Sequence, residues 1–229
     1  MNTLAAYASW FFGRIGDVIF PNHRTMPPES LVAICVGHSR HIAGKRDGGA
    51  VSAGGVSEWT FNRDLAFQID RVLREKGVVS FVIDDYKGNG YTDSMRWLAS
   101  EIKAKGATLA VELHFNAASG TAKGHEWLFF QTSKEGKRLA SALRGAYEEA
   151  FPLSANRGIK AKVSGERGGE FLKLTHCPAV ICEPFFGDNP AEWQTASSSV
   201  SAMAEAMATG ITDYLQFPCT HPSTTPSQA

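Results

Sequence analysis

Net charge, cysteine pairs and long apolar runs are all scarce in this 229-residue chain, and each shortage narrows the reading. Lys+Arg and Asp+Glu both number 23, so the formal net charge is zero. A neutral balance gives no footing for nucleic acid or a strongly anionic surface as partner. The four cysteines, Cys35, Cys177, Cys182 and Cys219, form no C-x-x-C pair. Cys35 and Cys182 lie inside apolar, strand-like runs and read as buried small hydrophobes in a reducing compartment, not as a disulfide frame. No stretch is long enough to span a bilayer. The start, Met1 to Phe20, has an apolar run from Leu4 to Phe12 but no basic region before it, which makes it a poor secretory signal.

What is present is a globular composition, 43% hydrophobic, with the alternation of an α/β chain. Leu4, Ala8, Phe11, Ile15 and Val18 recur at helical spacing and read as an amphipathic helix docked on the domain, with weak membrane-surface contact through residues 1–20 as the lesser alternative. Pro21 to Ser30 is a connector. Leu31 to Val36 reads as the first buried strand, ending at Gly37-His38-Ser39. Arg40 to Val56 is a glycine-rich loop. Ser57 caps a helix that Glu58 opens, with Phe61, Leu65, Ile69, Val72 and Leu73 as its apolar stripe and Gly77 at its close. Val78 to Ile83 is a strand. A helix over Asp93 to Lys105 turns Met95, Leu98, Ala99 and Ile102 inward.

Thr108 to Leu113 is the central strand, short and apolar as a strand covered on both faces must be. It stops at His114, followed by Asn116 and a loop of small residues. His125 to Gln131 is a strand, and Ser133 caps a helix reaching Ala150. Leu153 to Gly169 is expected to be irregular, and Glu170 to Leu174 a single helical turn. Pro178 to Phe186 is the last core strand. Asn189-Pro190-Ala191-Glu192 is a helix start, with a capping side chain, proline at the first position and glutamate at the third. That helix runs to about Tyr214 and is open to a break. Residues 217–229, rich in Pro, Ser and Thr, read as a disordered tail. The expected fold is therefore α/β: a twisted, mostly parallel sheet flanked by helices on both faces. It forms a single domain over residues 28–216, preceded by an N-terminal segment and connector over 1–27.

Four residues draw the chemistry together. His38, His114 and Glu183 sit near strand carboxyl ends, the edge where ligands bind in open α/β sheets. A loop of small residues can bring Glu58 to the same edge. Two histidines, a carboxylate and an open position form a common catalytic zinc set. A carboxylate outside that set is then needed to take a proton from water, and Glu183 is placed for it. Each has a bland alternative: Glu58 favours the helix dipole at any helix start, and His38 can be a turn histidine. Glu183 inside Val-Ile-Cys-Glu-Pro-Phe-Phe is costly to bury without a partner. Glu112 shares a strand face with His114 and is either a carboxylate orienting a ligand histidine or the partner of an arginine. His125 reads as a substrate contact or a surface histidine. His41, His176 and His221 read as structural or exposed.

Taken together, Gly37-His38-Ser39, then Gly55-x-x-Glu58-x-x-x-Asn62-x-x-Leu65-Ala66, then Leu113-His114-Phe115-Asn116-Ala117, then Pro178 to Phe186 with Asn189, resemble the zinc-dependent N-acetylmuramoyl-L-alanine amidases of bacterial wall remodelling and phage endolysins. The resemblance covers about Leu31 to Tyr214. It implies Zn2+ held by His38, Glu58 and His114, and Glu183 as the catalytic glutamate. It also implies peptidoglycan as substrate, cut between the lactyl group of N-acetylmuramic acid and L-alanine. Asn116, His125 and Arg167 are then candidate substrate contacts, with the loops 40–56 and 153–169 framing the groove. The chain departs from the family pattern where Ser39-Arg40-His41 follow the first histidine, at Glu112, and in the bulk of Phe115 and Pro184-Phe185-Phe186. Without a clear leader, the reading is a protein made in the cytoplasm that acts at the wall after release, or reaches it by another export route. The rival readings are another zinc wall peptidase, a non-catalytic wall-binding domain of the same fold, and a cysteine–histidine peptidase. The last is opposed by thiols placed in apolar strand interiors.

Overall fold

The computed structural model describes residues 30–42 and 45–217. The expected helix and membrane contact of residues 1–20, nearly all of the connector, and the tail beyond Phe217 lie outside the described residues.

A six-stranded sheet carries the molecule, its strands lying side by side in the order 79–83, 31–36, 109–113, 179–183, 125–130 and 156–162. Its strands are β1 (Leu31–Val36), β4 (Val79–Ile83), β5 (Leu109–Leu113), β6 (His125–Phe130), β7 (Asn156–Lys162) and β8 (Ala179–Glu183). A separate hairpin pairs β2 (Ser39–Ile42) with β3 (Lys45–Asp47). The helices are α1 (Glu58–Glu75), α2 (Tyr91–Ala104), α3 (Lys134–Ala150), α4 (Gly169–Leu174), α5 (Pro190–Ser198) and α6 (Val200–Gln216). Within the six-stranded sheet, neighbouring strands are parallel except for β6 and β8. The exception follows from chain length: the segment 114–124 carries no helix, and a strand cannot return parallel without a crossover of a dozen residues or more. The chain reverses instead, so β6 begins at the edge where β5 and β8 end.

Strand alternation divides the core. Val32, Ile34, Val36, Val111, Leu113, Val180 and Cys182 face α1, α3 and α6. Ala33, Cys35, Ala110, Ala179 and Ile181 face α2 and α4. The second face is built of smaller side chains under shorter helices. It is also the face that Glu112, Glu126 and Glu183 share, by alternation along β5, β6 and β8. Concave space and carboxylates thus arise from the same side of the sheet.

Two expectations need correction. Loop 153–169 is not wholly irregular, because residues 156–162 form β7 at the sheet edge. Asn-Arg-Gly-Ile-Lys-Ala-Lys lacks an apolar face of its own, and its charged side chains suit an edge that must not recruit further strands. Loop 40–56 begins with the β2–β3 hairpin. Elsewhere the caps fall where the sequence places them. The Ser57 hydroxyl accepts from the Thr60 amide, and the Asn189 side chain accepts from the amides of Ala191 and Glu192. The last helix breaks at Ser199.

Candidate metal centre

His38 lies two residues beyond the end of β1, with a φ of +67°, the one positive value at a non-glycine residue among the described residues. Such a conformation costs about 1–3 kcal/mol and persists where surroundings dictate it. Here Gly37 donates its amide to the Leu113 carbonyl at 2.8 Å, and His38 Nδ1 lies 3.0 Å from Asp47 Oδ1. Gly37 has no room for a side chain, since a Cβ would run into the His114 ring and the Leu113 carbonyl. Gly49, with φ +68°, leaves space for the His38 ring and the Glu58 carboxylate in the same way. Glu58 opens α1, whose start is tied to the preceding loop by Glu58 N to Ala50 O (2.9 Å) and Trp59 N to Gly48 O (3.0 Å). His114 follows β5 and donates its amide to Cys182 O at 3.0 Å.

These three side chains meet. His114 Nδ1 is 2.8 Å from Glu58 Oε1, and His38 Nε2 is 3.2 Å from Glu58 Oε2. The imidazole centroids are 5.1 Å apart. One ligand atom from each residue lies within 4.8 Å of the others. The Glu58 side chain is 1% exposed. It also accepts from the amides of Ala50 (3.0 Å) and Phe115 (3.1 Å), which fix its direction. His38 Nε2 is buried and makes no aligned hydrogen bond to the carboxylate beside it. An imidazole nitrogen and a carboxylate that converge without bonding each other are arranged to share a third group. The nitrogen, nitrogen and oxygen donors suit zinc. The far nitrogens are also provided for: Asp47 sits on His38 Nδ1, and Glu112 Oε2 is 3.5 Å from His114 Nε2. Glu112 is itself held by the Tyr86 hydroxyl at 3.0 Å.

Electrostatics follow from this crowding. Burial opposes ionisation of Glu58, but the hydrogen bond from His114 and the proximity of His38 outweigh it and hold the carboxyl well below the usual range. Burial opposes protonation of His114, yet Glu112 and Glu58 raise it well above an ordinary imidazole. His38 is raised too, its burial overcome chiefly by Glu58. Glu183 is different: burial first, then the neighbouring carboxylates Glu58 and Glu126, push it up to about 7, against the opposing charges of His114 and Arg167.

The triad opens into a cavity of about 530 Å³ lined also by Glu112, Asn116, Glu126, Lys162, Arg167 and Glu183. The Oε2 atom of Glu183 and the Nδ2 atom of Asn116 are buried without a hydrogen-bond partner. The Asn116 backbone is fixed against the segment after β8, by Asn116 N to Phe185 O (2.9 Å) and Gly187 N to Asn116 O (2.8 Å). The bulky Phe115 and Phe185 pack edge-on or tilted with Phe61 and Trp193 behind the site. Their size fills the core behind Glu58.

His125 is elsewhere, and its reading as a substrate contact is corrected. Alternation along β6 turns Glu126 into the cavity and His125 to the other face, where it is fully buried against Trp127 and Tyr147. Its Nδ1 accepts the Trp127 indole N–H at 3.0 Å. Asp47, Glu126, Tyr86 and Lys162 join the site without having been singled out in the sequence. Glu126 stands one residue from His125 and was legible in principle, since a glutamate in a strand of aromatic neighbours needs a reason to be there. Asp47 lies in a segment with no periodicity to place it. The thiols of Cys35 and Cys182 are raised well above their ordinary value by burial first and by nearby carboxylates second, the opposite of an activated nucleophile.

A family model described as N-acetylmuramoyl-L-alanine amidase matches residues 32–213. Among solved structures, the amidase AmiC2 of Nostoc punctiforme superposes with a TM-score of 0.70 at 22% identity, covering 82% of this chain and 98% of that one. The amidase of Clostridium difficile 630 gives 0.70 at 23%, with 82% and 98% covered. The catalytic domain of CD27L, an endolysin targeting Clostridium difficile, gives 0.66 at 24%, with 80% and 97% covered. No match is found among curated proteins.

Proposed function

The chain belongs to the N-acetylmuramoyl-L-alanine amidase family, and from that premise we propose that it cuts peptidoglycan with a zinc ion held by His38, Glu58 and His114 and with Glu183 as its acid–base group. As a member of that family it is a hydrolase of peptidoglycan, cleaving the amide between N-acetylmuramic acid and the L-alanine that begins the stem peptide. The observation that carries the zinc assignment is the convergence of the three ligand atoms within 4.8 Å with His38 Nε2 unpartnered.

Zinc held by His38, Glu58 and His114 would supply a Lewis acid for the lactyl carbonyl and would lower the pKa of a bound water toward roughly 7. The protein's own groups do the rest. Asp47 and Glu112 face the ring nitrogens turned away from Glu58 and orient the two imidazoles. Glu183 takes the proton of the attacking water on its unpartnered Oε2 and returns it to the departing amine of L-alanine. An ordinary glutamate would be a weak acid-phase donor at neutral pH, whereas a carboxyl near 7 serves in both directions. Asn116 Nδ2, unpaired and facing the cavity, is a donor for a substrate carbonyl.

We place its action at the wall, in remodelling or in endolysin-like lysis. Among the described residues, no helix is long and apolar enough to cross a membrane. The test joins metal content to product. About one zinc per chain, as a three-ligand catalytic site holds, with release of stem peptides starting at L-alanine that stops on chelation, is the expected result. Zinc with a different cleaved bond would move the chain to the other wall peptidases, and neither zinc nor cleavage would leave a wall-binding domain.

A further inference from the structure

The cavity is acidic on most of its wall and basic in one place. Asp47, Glu58, Glu112, Glu126 and Glu183 line it from the sheet and the metal-centre side. Lys162, at the end of β7, and Arg167, in the turn before α4, line it from the other, together with Glu166, whose carboxylate is engaged by the Val163 amide. Their basic neighbours are already committed: Arg157 and Lys160 both pair with Glu126, and Lys173 donates to Ser164. The side chains of Lys162 and Arg167 have no hydrogen bond or ion pair among the described residues, although Arg167 is close enough for its charge to act on Glu183.

The turn that presents Arg167 is also fixed in shape. Glu166 accepts from the Val163 amide at 3.1 Å, and Glu170 Oε1 accepts from the Ser164 hydroxyl (2.8 Å) and the Gly165 amide (3.2 Å). Tyr91 accepts from the Gly168 amide at 3.1 Å, anchoring the turn to the start of α2. Gly168 adopts φ +82°, and Gly169 packs so closely on Val163 that a side chain there would meet its carbonyl. A tethered turn spares the backbone cost of ordering and leaves only the side-chain rotamers of Arg167 to be fixed when its planar guanidinium meets an anion.

We propose that Lys162 and Arg167 form a carboxylate-binding subsite that selects stem peptides carrying a free carboxylate, rather than a carboxamide, on the residues following the scissile L-alanine. This rests on the amidase reading and adds a specificity to it. The carboxylates of Asp47, Glu58 and Glu112 on the facing wall sharpen the selection, because they repel a peptide carboxylate that strays toward the metal centre.

The test uses two soluble muramyl peptides, identical except that the residue after L-alanine bears a free carboxylate in one and a carboxamide in the other. The wild-type chain is expected to cleave the carboxylate form roughly tenfold faster in kcat/KM, the scale of a charge-assisted hydrogen bond. Added salt should shrink that preference. In Arg167→Ala and Lys162→Ala the ratio should fall toward one, with zinc content and melting temperature unchanged, and Arg167→Lys should keep part of it. Cleavage of both peptides at equal rates by the wild type, or a preference that survives both alanine variants, overturns the subsite and leaves the amidase reading standing. Cleavage of neither overturns the amidase reading, and the subsite with it.

Discussion

Glu126 stands directly across from Glu183 where β6 and β8 pair antiparallel. Two carboxylates in cross-strand register repel each other, yet they are not equivalent. Glu126 is met by Arg157 at 2.7 Å and by Lys160. Burial opposes its charge, but those two cations hold it below the usual carboxylate range. Glu183 has no such partner and faces the cavity. One strand reversal therefore yields one carboxylate kept charged and one kept near neutrality, which separates a structural anion from a group able to exchange protons.

Replacing Glu183 with glutamine keeps the shape and removes the proton exchange. Turnover should fall by roughly 10²–10⁴-fold, the usual contribution of general acid–base catalysis. Zinc content should not change, because none of the three proposed ligands is touched. Muropeptide release and metal analysis on the same preparation check this together. Activity within a few-fold of wild type would remove Glu183 from its role.

The same variant carries a pH signature in metal-free protein. Glu183 is raised from 4.5 to about 7 in the fold, so between those values the folded chain keeps a proton that the unfolded chain has lost. The stability tied to this group is complete below about 4.5 and is lost as pH rises through about 7. Glu183→Gln cannot ionise and escapes that loss. The chelated variant should match the chelated wild type in denaturant at acid pH. Near pH 8 it should be more stable by on the order of 3 kcal/mol, since each tenfold change in proton affinity is worth about 1.36 kcal/mol. Equal stability at both pH values would show that the carboxyl is not strained by burial.

Asp47 and Glu112 give a third prediction. Each faces the ring nitrogen of a histidine that is turned away from Glu58. Asp47→Asn and Glu112→Gln should weaken zinc binding by about 10–100-fold, the range for carboxylates behind ligand histidines. Competition with a chelator of known affinity measures it. Because His38 and His114 are both raised in the metal-free chain, metal must displace protons, and affinity should climb steeply with pH.

The residues explain what could be read in advance. Strand cores such as Leu31–Val36 and Ala179–Glu183 announce themselves by apolar runs, and helix starts by Ser57, Ser133 and Asn189. His38, Glu58, His114 and Glu183 were legible because each is a polar residue where such an element begins or ends. β7 was not, because it borrows its order from pairing with β6 and has no pattern of its own. Asp47 was hidden for a related reason: only the hairpin, a tertiary feature, carries it back to His38. Glu192 shows the limit of local rules. Its position implies a capping box, yet its carboxylate accepts from the amides of Gly124 and Phe186 and clamps two loops behind the site instead.

His125 supplies the sharpest contrast between chemistry and packing. Its ring is fully buried on the face opposite the cavity, with Nδ1 accepting the Trp127 indole N–H and Tyr147 packed at a centroid distance of 5.0 Å. Burial lowers its pKa below that of an ordinary imidazole. His125→Ala removes the acceptor and leaves the indole N–H unsatisfied in the core, a cost of about 1–3 kcal/mol before any cavity is counted. The melting temperature should therefore drop by several degrees. The kcat/KM of the folded fraction should remain close to wild type, because no atom of His125 reaches the cavity. A catalytic loss much larger than the loss of folded protein would return His125 to the site and show that β6 pairs in a different register, with the opposite face toward the cavity.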